Sequence, residues 1–341
     1  MMISCAHAEY RTNGKDRHGN TRFRCKHCGK TWVEVQPVKP LGEMRVNVED
    51  AKLALRLLVE GNSIRGTSRI TGLDKKTLLK LTVVFGDACR LFMDREMRGL
   101  TLSHLEFDEQ WTWVGRKQAR LTTTERAESS DIGDVYIWTC VDKETKLMPS
   151  FMLGKRSADN ARRFMVDVAS RLNMPKPHAS DAHAFAKGGY RPITQISTDG
   201  FQGYPEAVDL AFGPYVRYGV IIKDYRNASM IYTPSEMVGT KRNGITGIGP
   251  RQERTITTSH VERLNGTQRL FMKRLNRLTY CFSKKLRNLE CAFAMFAAYY
   301  NYCWRTRKPG TSGKLRSTAA MMAGLSGHVW SFGELFDRIM A

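Results

Sequence analysis

Hydrophobic and polar positions divide the chain into stretches of different period. Residues 1–36 are polar, rich in glycine, histidine and basic side chains, and Pro37-Val-Lys-Pro40 follows them as a short linker. From Val48 to about Arg98 the apolar residues recur at helical spacing. Leu53, Leu57 and Leu58 are expected on one buried face. A short helix is expected from Ser63 to Ile70, broken at Thr71-Gly72. A third helix opens at Asp74, whose side chain suits an N-cap, and runs through Leu78, Leu79 and Leu81.

The period changes to two at His104–Val114. Leu105, Phe107, Trp111 and Trp113 fall on one face, and Glu106, Asp108, Gln110 and Thr112 on the other. Val135–Val141 and Leu147–Leu153 read as a hairpin around Asp142-Lys-Glu-Thr145. Helices are then expected at Ser157–Leu172, Tyr204–Phe212, Ser259–Arg277 and Lys285–Tyr302, and strands at Ile193–Thr198 and Val216–Ile222. Residues 173–192 and the basic 223–256 read as irregular. Strands interspersed with helices predict an α/β fold. The expected order is a small segment at 1–36, a helical domain at 45–98, a mixed-sheet catalytic domain at 102–305 and a C-terminal tail at 306–341.

At 341 residues the chain is long enough for two or three domains, and 42% hydrophobic content excludes broad disorder. The net charge of +21 favours a polyanionic partner, nucleic acid before a membrane surface, and is silent about fold. The sequence has no run apolar enough to span a bilayer and no apolar signal-peptide core, so a soluble cytoplasmic protein is expected. Of eight cysteines only Cys25 and Cys28 form a CxxC; the others read as reduced thiols.

Three carboxylates carry the candidate chemistry. Asp108 lies on the polar face of its strand; Glu106 or Glu109 could serve as well, but Glu109 falls on the apolar face, which argues against it as a free ligand. Asp199 ends a β-branched strand before Gly200, where ligands meet α/β sheets. Glu262 opens a helix whose buried stripe should be Val261, Leu264, Phe271, Leu275 and Leu278. The opposite face runs through Glu262, Asn265, Gly266, Arg269, Lys273 and Asn276. Taken singly, each acid has a plainer reading: a solvated strand face, a turn aspartate, a charged helix face.

Their order is more telling. Phe107-Asp-Glu-Gln-Trp-Thr-Trp-Val-Gly115, Lys155-Arg-Ser-Ala-Asp159, Thr198-Asp-Gly-Phe-Gln-Gly-Tyr204, His260-Val-Glu-Arg-Leu-Asn265, Lys273-Arg-Leu and Tyr280-Cys-Phe-Ser283 follow one another along the chain. In these motifs, from Leu105 to Leu325, the chain resembles the DDE transposases of the ribonuclease-H-like superfamily, and among them the insertion sequence 1 group. The resemblance implies that Asp108, Asp199 and Glu262 hold two Mg²⁺ ions, for which Mn²⁺ can substitute, and that Arg269 lies on the Glu262 face to hold a phosphate. It implies double-stranded DNA as partner, both element ends and target, with a homo-oligomer pairing the ends. Two-metal sites clamp the attacking and leaving oxygens of an in-line displacement, with the ions roughly 3.5–4 Å apart.

Arg24-Cys25-Lys-His-Cys28-Gly-Lys-Thr-Trp32 resembles the second knuckle of a zinc ribbon. The first knuckle would be Cys5-Ala6-His7-Ala8, with Ala8 where a second cysteine is usual. Cys5, Cys25 and Cys28 remain on pattern for Zn²⁺, with His7 or His27 to complete four ligands. Ser63–Leu81 looks like a helix-turn-helix, in which Arg65, Arg69, Lys75, Lys76 and Lys80 would meet DNA; Lys273 is a further contact. A plain three-helix bundle is the alternative. The basic loop 241–251 would track a DNA backbone. The Tyr299–Tyr302 and Ser317–Leu325 motifs read as packing, Ala319 standing where the resembled motif has proline.

Two rival functions accompany the transposase reading. One is a repressor derived from a transposase that binds DNA without cutting. The other is a tyrosine recombinase, with His260-Val-Glu-Arg263 as its HxxR and Tyr280 or Tyr299 as nucleophile.

Overall fold

A computed structural model describes residues 5–17, 19–34, 40–128, 131–174, 194–223, 235–239, 246–248, 254–307, 310 and 312–341. Most of the expected linker and nearly all of the 173–192 segment lie outside these residues, as do 241–245 and 249–251 of the basic loop. The chain divides into two compact units, Met1–Val46 and Asn47–Ala341.

The first unit is a three-stranded antiparallel sheet of β1 (Tyr10–Lys15), β2 (Thr21–Cys25) and β3 (Thr31–Val33). Tyr10, Phe23 and Trp32 form one ring cluster, with centroids 5.2 to 6.1 Å apart. Every residue of β1 is exposed, and among the unit's described hydrophobic residues only Cys25 and Leu41 are fully buried. So small a core does not normally sustain a fold alone.

The second unit opens with α1 (Val48–Val59), α2 (Ile64–Thr71) and α3 (Lys75–Glu96). Asn47, Ser63 and Asp74 cap these helices by accepting from Glu49, Gly66 and Lys76 N–H groups at 2.8, 3.0 and 2.8 Å. Gly72 ends α2 in the left-handed conformation at φ 73°, which only glycine adopts without strain. The buried face of α1 is Ala51, Ala54, Leu55 and Val59, not the expected leucine face, and Leu53 is exposed. Alanines let neighbouring helices approach closely, so the inward stripe follows the small residues.

A mixed sheet follows. Its strands in chain order are β4 (His104–Val114), then, after the short helix α4 (Thr123–Glu128), β5 (Gly133–Asp142) and β6 (Phe151–Gly154). Next come α5 (Ala158–Arg171), β7 (Thr194–Asp199), α6 (Tyr204–Phe212) and β8 (Val216–Lys223). Two short strands, β9 (Ser235–Gly239) and β10 (Thr246–Gly247), border β8. The order across the five main strands is β6-β5-β4-β7-β8; β4, β5 and β6 pair antiparallel, and β4, β7 and β8 parallel. This mixed five-strand sheet is consistent with the ribonuclease-H-like domain expected from the sequence.

Helices cover both faces. On one, Phe107 packs against Phe164 of α5 and Tyr204 of α6, at 5.8 and 6.4 Å between centroids. On the other lies α7 (Ser259–Phe271), followed by α8 (Leu286–Tyr302), α9 (Ala319–Met322) and α10 (Phe332–Met340). The supposedly polar face of β4 is therefore covered as well: Glu106, Gln110 and Thr112 have at most 2% exposure, and Trp111 and Trp113 on the other face are half-buried.

The helix expected at 259–277 stops at Phe271. Lys273–Leu275 is a 3₁₀ turn, so Lys273 is not on the Glu262 face, and Leu278 is exposed rather than part of the buried stripe. Helix α3 lies along α8 so closely that Gly86 has no room for a Cβ, which would meet the Cys291 backbone at 2.4 Å. Residues 306–341 are not a loose extension, because Phe332 and Phe336 of α10 pack on Phe85 of α3 at 5.9 and 5.3 Å. The helices of residues 45–98 thus share one core with the sheet unit and the C-terminal helix.

Candidate metal and nucleic-acid sites

Strands β4 and β7 pair only through His104–Glu106 and then diverge. Asp108 lies just past the divergence, opposite Thr139 of β5, and Asp199 is the last residue of β7. The chain leaves β4 toward β5 on one side and leaves β7 toward β8 on the other. Such a switch point, where two parallel strands part at the carboxyl end of β7, opens a crevice for ligands. A cavity of about 440 Å³ opens here, lined by Arg156, Asp199, Phe201, Ile222 and Lys223 among others.

Asp108, Glu109 and Asp199 bring their carboxylate oxygens within 4.8 Å of one another. Two of the three predicted acids are therefore together, and Glu109, set aside on the sequence pattern, joins them. Asp108 accepts from the Glu109 backbone N–H at 2.8 Å and from Asn265 Nδ2 of α7 at 2.7 Å. Asp199 accepts from the Phe201 N–H at 3.0 Å. Burial, then the Asp199 charge, raises Asp108 to about 6 and Glu109 to about 7. Both are thus carboxylates whose charge is poorly compensated by their surroundings.

Arg156 is the cation beside Glu109 and Asp199, and Lys223 the one that acts on Asp108. Arg156 donates from Nε to Glu109 at 3.0 Å, its terminal nitrogen lies 3.4 Å from Asp199, and its guanidinium stacks on Phe201 at 4.3 Å. Arg156 belongs to the Lys155–Asp159 motif, whose pattern alone assigns it no role. The available signal was Glu109 itself, because an acid on an apolar strand face requires a cation nearby.

Glu262 is not within this cluster. Its Oε1 accepts from Lys223 Nζ and, at 2.7 Å, from Thr258 Oγ1. Lys223 and Glu262 both act electrostatically on Asp108, with opposite sign, so the helix acid borders the site while its side chain is engaged elsewhere. Arg269 is half-buried on the same helix, where the Asp108 charge also acts on it, and its Nε is buried without a hydrogen-bond partner.

Helix α7 is anchored by Glu106. This carboxylate, with no exposed surface, accepts from the His260 and Val261 backbone N–H groups at 2.8 and 3.1 Å and pairs with His260 Nδ1 at 2.7 Å. His260 thus has a structural partner. Tyr299 donates to Glu60 and is packed against Phe271, whereas Tyr280 is fully exposed.

Arg65, Arg69, Lys75, Lys76, Lys80 and Lys273 are all exposed. The first five lie on α2 and the first two turns of α3, ahead of the part of α3 that packs on α8.

In the first unit, Cys5, His7, Cys25 and Cys28 gather their ligand atoms within 4.8 Å. Cys5 and Cys25 sulfurs are 3.7 Å apart, and Cys28 Sγ lies 3.3 Å from His7 Nδ1. A tetrahedron with Zn–S bonds of about 2.3 Å has sulfur–sulfur edges of roughly 3.8 Å, so the set fits zinc. The Cys28 backbone N–H, then the His7 side chain, pulls the Cys25 thiol down to about 6, toward the thiolate a metal needs.

No protein-family model and no curated protein matches the chain. Among solved structures it is similar to a piggyBac transposase synaptic complex with hairpin DNA, at TM-score 0.35 and 11% identity over 87% of this chain and 73% of that one. It is also similar to a pre-cleavage Mos1 transpososome, at TM-score 0.20 and 7% identity over 56% of this chain and 62% of that one. A Mos1 mariner paired end complex with Mn matches at TM-score 0.18 and 9% identity, over 52% and 60%. Likeness at these scores carries no weight for function, which rests on the site itself. Among the described residues no helix is long and apolar enough to cross a membrane.

Proposed function

We propose that this chain is a DDE-type transposase that cleaves double-stranded DNA at the ends of a mobile element and joins the freed 3′-hydroxyl to a target. One observation carries the reading: Asp108, just past the point where β4 and β7 part, meets Asp199 at the carboxyl end of β7, in a chain of net charge +21. Clustered carboxylates whose charge is poorly compensated suit a divalent cation, and hard cations take oxygen ligands. Mg²⁺ or Mn²⁺ held by Asp108 and Asp199, with Glu262 bordering them, would activate the attacking oxygen and stabilise the leaving one.

The chain's own residues supply the rest. Asn265 orients Asp108 through its 2.7 Å hydrogen bond. Arg269 offers a guanidinium to a DNA phosphate on the Glu262 side. The exposed bases of α2 and α3 (Arg65, Arg69, Lys75, Lys76 and Lys80) would read and hold DNA in helix-turn-helix fashion, and Lys273 would add a phosphate contact. Zinc on Cys5, His7, Cys25 and Cys28 would staple the first unit. Pairing two DNA ends calls for at least a dimer, acting in the cytoplasm on nucleoid DNA. The domain scheme of 1–36, 45–98, 102–305 and 306–341 is kept as a division of labour along the chain.

The engagement of Glu262 by Lys223 favours a second reading, a DNA-binding repressor that has lost cleavage. One experiment separates the two. The protein is incubated with DNA carrying the element ends, in Mg²⁺ or EDTA, beside Asp108→Asn and Glu262→Gln. Cleavage that requires Mg²⁺ and both acids supports the transposase. Binding without cleavage supports the repressor, and cleavage surviving EDTA and both substitutions removes the metal-carboxylate mechanism.

A further inference from the structure

We propose that Glu109 is a third ligand of the divalent cation assigned to Asp108 and Asp199, making a three-carboxylate site that stands without Glu262. The inference rests on the metal reading above and goes further by naming a ligand from the opposite face of the same strand.

Three observations support it. The Glu109 side chain is only 1% exposed, yet one of its oxygens lies within 4.8 Å of a carboxylate oxygen of Asp108 and of Asp199. Its Oε1 is buried without a hydrogen-bond partner, as is the hydroxyl of Tyr204, the neighbour that acts on the Glu109 carboxyl together with Arg156, and Oε2 accepts from Arg156 Nε. An ionised carboxylate is costly to bury with an oxygen unused, unless a cation meets it. Finally, one guanidinium is shared between two acids of a group of three, and its second contact, to Asp199, is long at 3.4 Å. Oxygens within 4.8 Å of one another need only small side-chain shifts to surround a cation bound at roughly 2.1 Å. Glu262, by contrast, already has Oε1 occupied by Lys223 and Thr258.

The rival explanation is that Glu109 merely anchors Arg156. Mn²⁺ binding to the full chain without DNA, followed as loss of the free-ion electron paramagnetic resonance signal, separates the two. Glu109→Gln keeps an acceptor for Arg156 but loses the ligand charge, and is expected to weaken the tightest Mn²⁺ site tenfold or more. Glu262→Gln should leave that site within twofold. Arg156→Ala should hold or strengthen binding if Glu109 is a ligand, and should copy Glu109→Gln if it is an anchor. Thermal melts in EDTA check that each variant folds. Glu109→Gln binding as tightly as the parent, beside a weakened Asp108→Asn, overturns the inference alone. Equal binding by the parent and Asp108→Asn, or none by either, overturns the metal reading and the inference with it.

Discussion

Glu106, wholly buried in the central strand, holds the His260 backbone N–H at 2.8 Å and its ring Nδ1 at 2.7 Å, so a strand carboxylate caps the helix that carries Glu262. The helix has no side-chain cap of its own, since Thr258 makes none. A carboxylate at a helix N-terminus satisfies orphan N–H groups and meets the positive end of the dipole. Glu106→Ala is expected to destabilise the second unit by about 3 kcal/mol, because two buried N–H groups lose a charged acceptor. Urea unfolding measures it; a loss below 0.5 kcal/mol, within the range of an ordinary surface change, would show that the cap is dispensable.

The acidic cluster should make stability fall as pH rises. Asp108 at about 6 and Glu109 at about 7 lie above the ordinary values of 3.8 and 4.5. The native state therefore binds more protons than the unfolded chain between roughly pH 4 and 7, and stability present at the acid end is lost across that window. Each buried group contributes about 3 kcal/mol of this loss. His104 opposes it: burial lowers its value to about 4, so its contribution is lost as pH falls below 6.5. Comparing variant with parent at each pH removes that opposing effect. In EDTA, Asp108→Asn and Glu109→Gln should melt higher than the parent at pH 7.5 and converge with it near pH 4. Millimolar Mn²⁺ should raise the parent's melting temperature more than either variant's. Parallel melting curves for variants and parent across this range would refute the assignment.

Two glycines should respond in opposite directions to alanine. At Gly86 the new methyl would lie 2.4 Å from the Cys291 carbonyl oxygen, so α3 and α8 must separate. Overpacking of this kind costs about 3 kcal/mol. At Gly266, inside α7, a Cβ meets nothing within 4 Å, and alanine should stabilise by roughly 0.5–1 kcal/mol through helix propensity. Chemical denaturation of the two variants provides the comparison, and a tolerated Gly86→Ala would contradict the close crossing.

The first unit should depend on metal. Its buried hydrophobic residues are too few to stand alone, and its four ligands already lie at zinc-like spacing. A chromogenic zinc assay on denatured protein should give one ion per chain. Chelation or Cys25→Ser should erase the dispersed NMR signals of residues 5–34 and leave those of Asn47–Ala341 in place. Retention of the β1–β3 signals in the chelated protein would mean the sheet needs no metal.

The legible parts of this fold were those set by local chemistry. Asn47 escaped notice, but Ser63, Gly72 and Asp74 marked helix ends correctly, because caps and left-handed turns depend on adjacent residues. Strands β4, β7 and β8 were readable from alternation and β-branching. Partners distant in sequence were not. Leucine spacing pointed to Leu53, whereas the helices packed on α1 selected its alanines. Alternation put Glu106 and Gln110 on a polar face, and α7 then covered that face. The same alternation placed Glu109 correctly on the apolar side, but an unseen arginine beyond the next hairpin made the position tenable. Cys5, Cys25 and Cys28 were readable from the resemblance to zinc-ribbon knuckles, which left His7 and His27 open; the fold brings His7 to the three cysteines.

The contact of Phe332 and Phe336 with Phe85 has a consequence for synthesis on the ribosome. Helix α3 must wait for α10, far later in the chain, before this part of its apolar surface is covered. A nascent chain would therefore expose Phe85 and its neighbours until α10 has left the ribosome, a period in which chaperones or proteases can act. A chain truncated before α10 would keep that surface exposed and should be cleared rather than accumulate.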